Sequence, residues 1–171
     1  MSLPVKIISK DEDLLPEFIS EIKSSPLISL DCEGVDLSRT GQICIIQLST
    51  RNLCFLFDVH NKNTNSQIII FLKEVLEDYG CKKIIHDCKM DADALFHILN
   101  IKLVGVHDTQ VFDSVLSGYN RELNLNRTLI ANGCMPNQER DNNVYNYNKK
   151  FWATRPMTQT MIEWASGQGW Q

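Results

Sequence analysis

The chain has 171 residues, 43% of them hydrophobic and 22% charged, which is enough to bury a sizeable core as a soluble globular domain. A formal net charge of −4 argues against a broad basic surface that binds nucleic acid without specificity, and no apolar run is long enough to span a bilayer. The N-terminus lacks the basic-then-apolar layout of a signal peptide, and the six cysteines include no C-x-x-C pair, so an intracellular protein, cytoplasmic or nuclear, without disulfides or a zinc site is expected.

In chain order, Val5–Ile8 reads as a short edge strand. Leu14, Leu15, Phe18, Ile19 and Ile22 recur at helical spacing, with Ser9 and Glu12 placed as a capping box and Pro16 suited to a first turn. Three strands follow, over 27–33, 43–48 and 53–58, and Thr50-Arg51-Asn52 is short enough to be a hairpin turn between the last two. The pattern then changes. Ile68 to Leu76 fits a helix, Ile84-Ile85-His86 a short strand, Ala92 to Leu99 a helix, and Leu103 to Val106 a strand, after which Asp108-Thr109 caps a further helix. Strand–helix–strand with short links implies right-handed parallel crossovers. The expected fold is α/β, with a mixed five- to six-stranded sheet, antiparallel first and parallel later, flanked by helices. From Leu123 to Gly133 a helix is expected, from Pro136 to Lys150 a long polar loop, and from about Pro156 a last helix with Met161, Ile162 and Ala165 on its apolar face. One domain over 1–171, shortened at its C-terminal end, is the expected organisation.

Four acids stand where chemistry is conceivable. Asp31 and Glu33 alternate along a strand, so they share one face while Leu30 and Cys32 take the other. Two carboxylates on one face of an apolar strand repel and are costly to bury, and a hard divalent cation such as Mg²⁺ or Mn²⁺ removes that penalty. Two solvated acids at a strand end is the plain alternative. Asp87 and Asp91 straddle a strand–helix junction; Asp87 fits simple helix capping, whereas Asp91 lies further in and is the better ligand candidate. His86 reads as a core histidine with a satisfied hydrogen bond, and Asp108 as an N-cap. Basic groups placed to meet phosphate are Lys82, Lys83, Lys89, Arg121, Arg127, Lys149, Lys150 and Arg155.

Taken together, Leu-Asp-Cys-Glu-Gly at 30–34, His86-Asp87-Cys88 leading to Asp91, His-Asp-Thr at 107–109 and Arg155-Pro156-Met157-Thr158 resemble the DEDD superfamily of 3′–5′ exonucleases, most nearly its ribonuclease D-like branch, Egalitarian-type domains included. The resemblance runs from about Val5 to the C-terminus. It implies a ribonuclease H-like fold and two-metal phosphodiester hydrolysis, with Asp31 bridging both ions, Glu33 on one of them, and Asp91 acting through metal-bound water.

The third motif of that branch, Tyr-x-x-x-Asp, is altered here. Trp164 stands at the Tyr position and Gln168 at the Asp position, three residues from the end. An indole N–H donates but cannot accept, and a Gln carbonyl brings no negative charge to a metal. The expectation is a domain that binds single-stranded nucleic acid, RNA by the resemblance and DNA as the alternative, with hydrolysis impaired or lost. An active two-metal exoribonuclease is the first competing expectation, and an interaction domain that holds a protein partner or a second copy of itself is the other.

Overall fold

Hydrophobic alternation along the central strand sets the architecture. The computed structural model describes residues 3–118, 122–136 and 148–167. Six strands, β1 (Val5–Ile8), β2 (Leu27–Val35), β3 (Gln42–Ser49), β4 (Cys54–Asp58), β5 (Lys82–Ile85) and β6 (Val106–Asp108), form one sheet in the order β1-β4-β3-β2-β5-β6. β2, β3 and β4 pair antiparallel, while β1 joins β4, and β5 and β6 follow β2, in parallel. The mixed sheet expected from the sequence is therefore present, with the parallel crossovers on the side where strands alternate with helices.

Six helices lie among the described residues: α1 (Pro16–Ser24), α2 (Gln67–Leu76), α3 (Lys89–Leu99), α4 (Thr109–Ser117), α5 (Leu125–Ala131) and α6 (Gln159–Gly167). Pro16 opens α1, where its missing N–H costs nothing. The turn before it is closed by Asp13 rather than by Ser9 and Glu12: the Asp13 carboxylate accepts from the amides of Ser9 (2.9 Å) and Lys10 (3.0 Å). β6 lies three residues later than its apolar run predicts. Leu103 and Val104 pack inward outside the ladder, the Val104 amide donating to the Leu76 carbonyl at 3.1 Å, so their burial does not come from strand pairing. Phe96 of α3, apolar like Leu95 and Leu99, is half exposed.

The sheet carries a core on each face. Ile28, Leu30 and Cys32 of β2 join Ile46, Leu48, Phe55 and Phe57 under α1, α2 and α3. On the other face Cys44, Ile45 and Leu56 pack with Met161, Trp164 and Ala165 of α6 and with Trp152, which sits in a 3-10 turn over Phe151–Ala153. Trp152 is 1% exposed and its ring meets Trp164 edge-on at 5.9 Å. A three-residue turn has no periodicity to read, so no sequence pattern marks this anchor.

Arg155 ties this second core to the sheet. Its guanidinium donates to both Asp58 oxygens (2.6 and 2.7 Å), to the carbonyls of Trp152 and Thr154 (both 2.7 Å) and to that of Cys44 (3.2 Å). Asp58 is only 14% exposed, so Arg155→Ala leaves a half-buried carboxylate and three carbonyls short of a donor. The expected cost is roughly 2–4 kcal/mol of unfolding free energy by urea denaturation. A loss below about 0.5 kcal/mol, the size of an exposed ion pair, would contradict the structural role.

Candidate active site

β5 pairs with β2 only from Leu27 to Ser29, so the β2 backbone beyond that point loses its partner on this side. A side chain takes over. Asp91, two residues into α3, accepts the Cys32 amide at 3.0 Å through Oδ1. The carboxylate-bearing helix is thus fastened to the strand that carries Asp31 and Glu33. Register places Asp31 opposite Gln47 and Glu33 opposite Ile45 of the second core, with Leu30 and Cys32 in the first, so Asp31 and Glu33 do share a face. An irregularity between Glu33 and Gly34 follows directly, and a Cβ on Gly34 would lie 2.0 Å from the Gln42 carbonyl oxygen, so only glycine allows the strands to approach this closely.

A cavity of about 740 Å³ opens beside these residues. Asp31, Glu33 and Asp91 all line it, as do His86 and Asp87. The far wall holds Gln110, Glu122, Asn124 and Lys149, and the loop between β2 and β3 contributes Asp36 and Leu37. The sequence singled out Lys149 among these wall residues, as a cation; Asp36, Glu122 and Asn124 lie in loops and a cap, and Gln110 in the first turn of α4, with no motif to mark them. Loop 36–41 is held against α3 by Asp93, which accepts the Arg39 amide (2.7 Å) and pairs with its guanidinium (2.7 and 3.3 Å).

Asp91 is buried at 6% exposure. Burial first, and the negative charge of Asp31 second, push its carboxyl up to about 8, against an amide hydrogen bond from Cys32 that favours the charged form. Several carboxyls in one cavity, with Glu33 and Asp91 both buried, suit a hard divalent cation that supplies the missing positive charge. Among the described residues no three acidic, imidazole or thiol side chains converge closely enough to hold an ion as they stand, and Asp31, Glu33 and Asp91 share the cavity lining.

The remaining candidates have other employment. His86 bonds through Nδ1 to the Thr109 hydroxyl (2.9 Å) and through Nε2 to the Leu123 carbonyl (3.0 Å), as a tied core histidine does. Asp87 does not cap α3; it occupies the turn before it with φ 56°, and Cys88 is the N-cap position. Asp108 does cap α4, accepting from the amides of Gln110 (2.9 Å) and Val111 (3.5 Å), and it also accepts those of Asp87 (3.0 Å) and Cys88 (2.9 Å). Burial alone would raise its carboxyl, but the Cys88 and Asp87 amides hold it below the usual carboxylate value. Of the basic residues, Lys83 is fully buried with its ammonium on the carbonyls of Asp78 (2.5 Å) and Cys81 (2.9 Å), and Arg155 is bound to Asp58, so neither meets phosphate. Lys89 pairs with Glu122 at 2.8 Å on the cavity rim. Trp164 is 4% exposed within the aromatic cluster of α6 and does not line the cavity. Gln168 and Arg121 lie outside the described residues.

A family model described as 3′-5′ exonuclease matches residues 6–167. The chain belongs to the 3′–5′ exonuclease family. Among curated proteins of this family it is 28% identical to the human piRNA biogenesis protein EXD1 over 169 residues, covering 92% of this chain and 33% of that protein, and 36% identical to the mouse protein over 92 residues, covering 54% and 16%. It is also 30% identical to the exosome complex exonuclease RRP6 of Saccharomyces cerevisiae over 109 residues, covering 63% and 14%. The chain thus spans between 16% and 38% of the length of the EXD1 relatives. Trypanosoma brucei RNase D in its GMP complex superposes with a TM-score of 0.86 at 26% identity, over 97% of this chain and 54% of that one. The same enzyme's complex with RNA U12 gives 0.82 at 25% identity, over 96% and 58%. The ribonuclease H-like fold of the RNase D group is the fold of this chain.

The raised Asp91 carboxyl has a consequence for stability. A carboxyl whose value rises from 3.8 unfolded to about 8 folded favours the native state below about 4, and that contribution is lost as pH climbs through 8. Without divalent ions, the melting temperature of the wild type should therefore fall relative to that of Asp91→Asn between pH 4 and about 8, measured by calorimetry in matched buffers. Parallel pH profiles for the two proteins would refute the assignment.

Proposed function

We propose that this domain binds the 3′ end of single-stranded RNA in the cavity walled by Asp31, Glu33 and Asp91, and that its phosphodiester hydrolysis is impaired. The observation that carries the second half is the place of Trp164. At the position where the ribonuclease D-like motif has a tyrosine, this chain has an indole packed against Trp152 and Phe151. A tyrosine in that role orients the attacking water through its hydroxyl, and an indole N–H, which donates but cannot accept, does not replace it. Gln168, at the position of the fourth carboxylate, removes a negative charge from the metal site. When bound, Mg²⁺ or Mn²⁺ would activate water and stabilise the leaving oxygen. Asp31, Glu33 and Asp91 are the residues that would hold it.

Support for RNA comes from the family relatives: an RNase D solved with RNA U12, and proteins named for piRNA biogenesis. Lys149 is the one Lys or Arg among the described residues that line the cavity, and the acids that share the lining repel a strand unless a divalent ion neutralises them. A single reading competes. Asp31, Glu33 and Asp91, the three acids of the motif that this chain retains, line one cavity, which favours retained exonuclease activity.

A 3′-labelled single-stranded RNA decides between the two. The expected result is binding in the presence of Mg²⁺ that weakens with salt and with Lys149→Ala, and no shortening at high protein concentration with Mg²⁺ or Mn²⁺. Gln168→Asp should gain measurable trimming. Metal-dependent shortening by the wild type that Asp31→Ala abolishes would establish the active enzyme instead, and absence of any RNA binding would sink both readings.

A further inference from the structure

Asp108 reads in the sequence as an ordinary N-cap, yet its carboxylate does more than start α4. Four backbone amides converge on it, from two different chain segments. Gln110 (2.9 Å) and Val111 (3.5 Å) belong to the first turn of α4, whereas Asp87 (3.0 Å) and Cys88 (2.9 Å) belong to the turn that leads into α3. The two segments are neighbours because β5 and β6 run parallel, with Ile85 in register with Asp108.

The consequence runs along the chain. β5 ends at Ile85, and the backbone then reverses through Asp87 at φ 56°, a conformation an L residue adopts at some cost. Holding that turn needs compensation, and two charge-assisted hydrogen bonds from the amides on either side of the Asp87 Cα provide it. α3 begins immediately afterwards at Lys89, so the direction of its first turn is set by the pinned amides. Asp91 lies in that first turn. Its Oδ1 meets the Cys32 amide at 3.0 Å, at the point where β5 no longer pairs with β2. Through-space contact between Asp108 and Cys32 is not involved; the link is the turn, then one turn of helix.

We infer that Asp108 is a positioning residue for the candidate active site, fixing the β5–α3 turn so that α3 delivers Asp91 to the Cys32 amide and to the cavity beside Asp31. The second segment it holds, α4, supplies Gln110, which lines the same cavity and donates to the Leu123 carbonyl at 3.0 Å. One carboxylate thus sets the relation between the wall that bears Asp91 and the wall that bears Gln110. Only the metal-binding consequence rests on the function proposed above; the placement of Asp91 does not.

The test reads the Cys32 amide, which Asp108 does not touch. Amide hydrogen exchange is measured residue by residue on the full chain for wild type, Asp108→Asn and Asp108→Ala, with Asp91→Ala giving the value for a Cys32 amide without its side-chain acceptor. Asn keeps the shape and one acceptor but turns an N–H₂ towards the Cys88 amide, so it serves if the alanine variant does not fold. The expected result is exchange at Cys32 faster by roughly tenfold in Asp108→Asn, approaching Asp91→Ala, while Ile46 and Leu48 in the middle of the sheet keep their protection. Unchanged protection at Cys32 overturns the inference. So does equal loss at Cys32, Ile46 and Leu48, because that is general destabilisation rather than positioning. A second arm titrates Mn²⁺ by electron paramagnetic resonance, where Asp108→Asn should weaken binding by roughly 10–100-fold. Failure of the wild type to bind Mn²⁺ would count against the proposed metal site while leaving the Cys32 result to decide the positioning role.

Discussion

A buried carboxylate that must find a donor is the constraint around which this domain is arranged. Asp91 is nearly excluded from water and faces the charge of Asp31. Left alone it would be among the most costly groups in the molecule. The Cys32 amide is an equally exposed liability, a backbone donor in a central strand beyond the end of its parallel neighbour. One hydrogen bond satisfies both. It also fixes how far α3 stands from β2, and so the width of the cavity that Asp31, Glu33 and Asp91 share.

The sheet supplies the rigid side of that arrangement. β2 is central, bonded to β3 along most of its length and to β5 at its start, with apolar side chains packed above and below. Carboxylates on such a strand cannot move far, because the strand cannot slip without turning Leu30 and Cys32 out of the first core. The adjustable side is α3 and the loops around it. Asp108 restrains the start of α3, Asp93 fastens loop 36–41 to its middle through Arg39, and Asn100 closes its end with φ 55°. Three acidic side chains on or beside one helix therefore serve two tasks. All three hold backbone amides, and Asp91 alone of them also lines the cavity.

Much of this was legible in the sequence wherever a period carried the information. Alternation placed Asp31 and Glu33 on one face of a strand, and helical spacing found α1, α2 and α3 with the hairpin and crossovers between them. Failures occurred where burial and hydrogen bonding part company. Leu103 and Val104 are apolar and inward-facing, as strand residues would be, but they pack without pairing, and the ladder starts only at Val106. Lys83 looks like a surface cation and is wholly buried, its long apolar stem inside the fold and its ammonium on two carbonyls. Asp108 was recognisable as a cap, but its bonds to Asp87 and Cys88 depend on the parallel register of β5 and β6, which no local pattern encodes.

The aromatic side of the domain bears on how a member of an exonuclease family could part with its chemistry while keeping its shape. α6 presents Met161, Trp164 and Ala165 to the sheet, and Trp164 meets Trp152 and Phe151 there. A large ring in that slot gains apolar burial with neighbours on several sides, with no dependence on the cavity. The fold is thus indifferent to whether that ring also bears a phenol aimed at a substrate. The same holds for the carboxylates in reverse. Asp91 is tied to Cys32 for structural reasons, so it would persist even where no ion is activated, because removing it would orphan a strand amide. On the reading proposed above, an intact set of Asp31, Glu33 and Asp91 is therefore weak evidence for catalysis, and the identities of the residues at positions 164 and 168 are what discriminate.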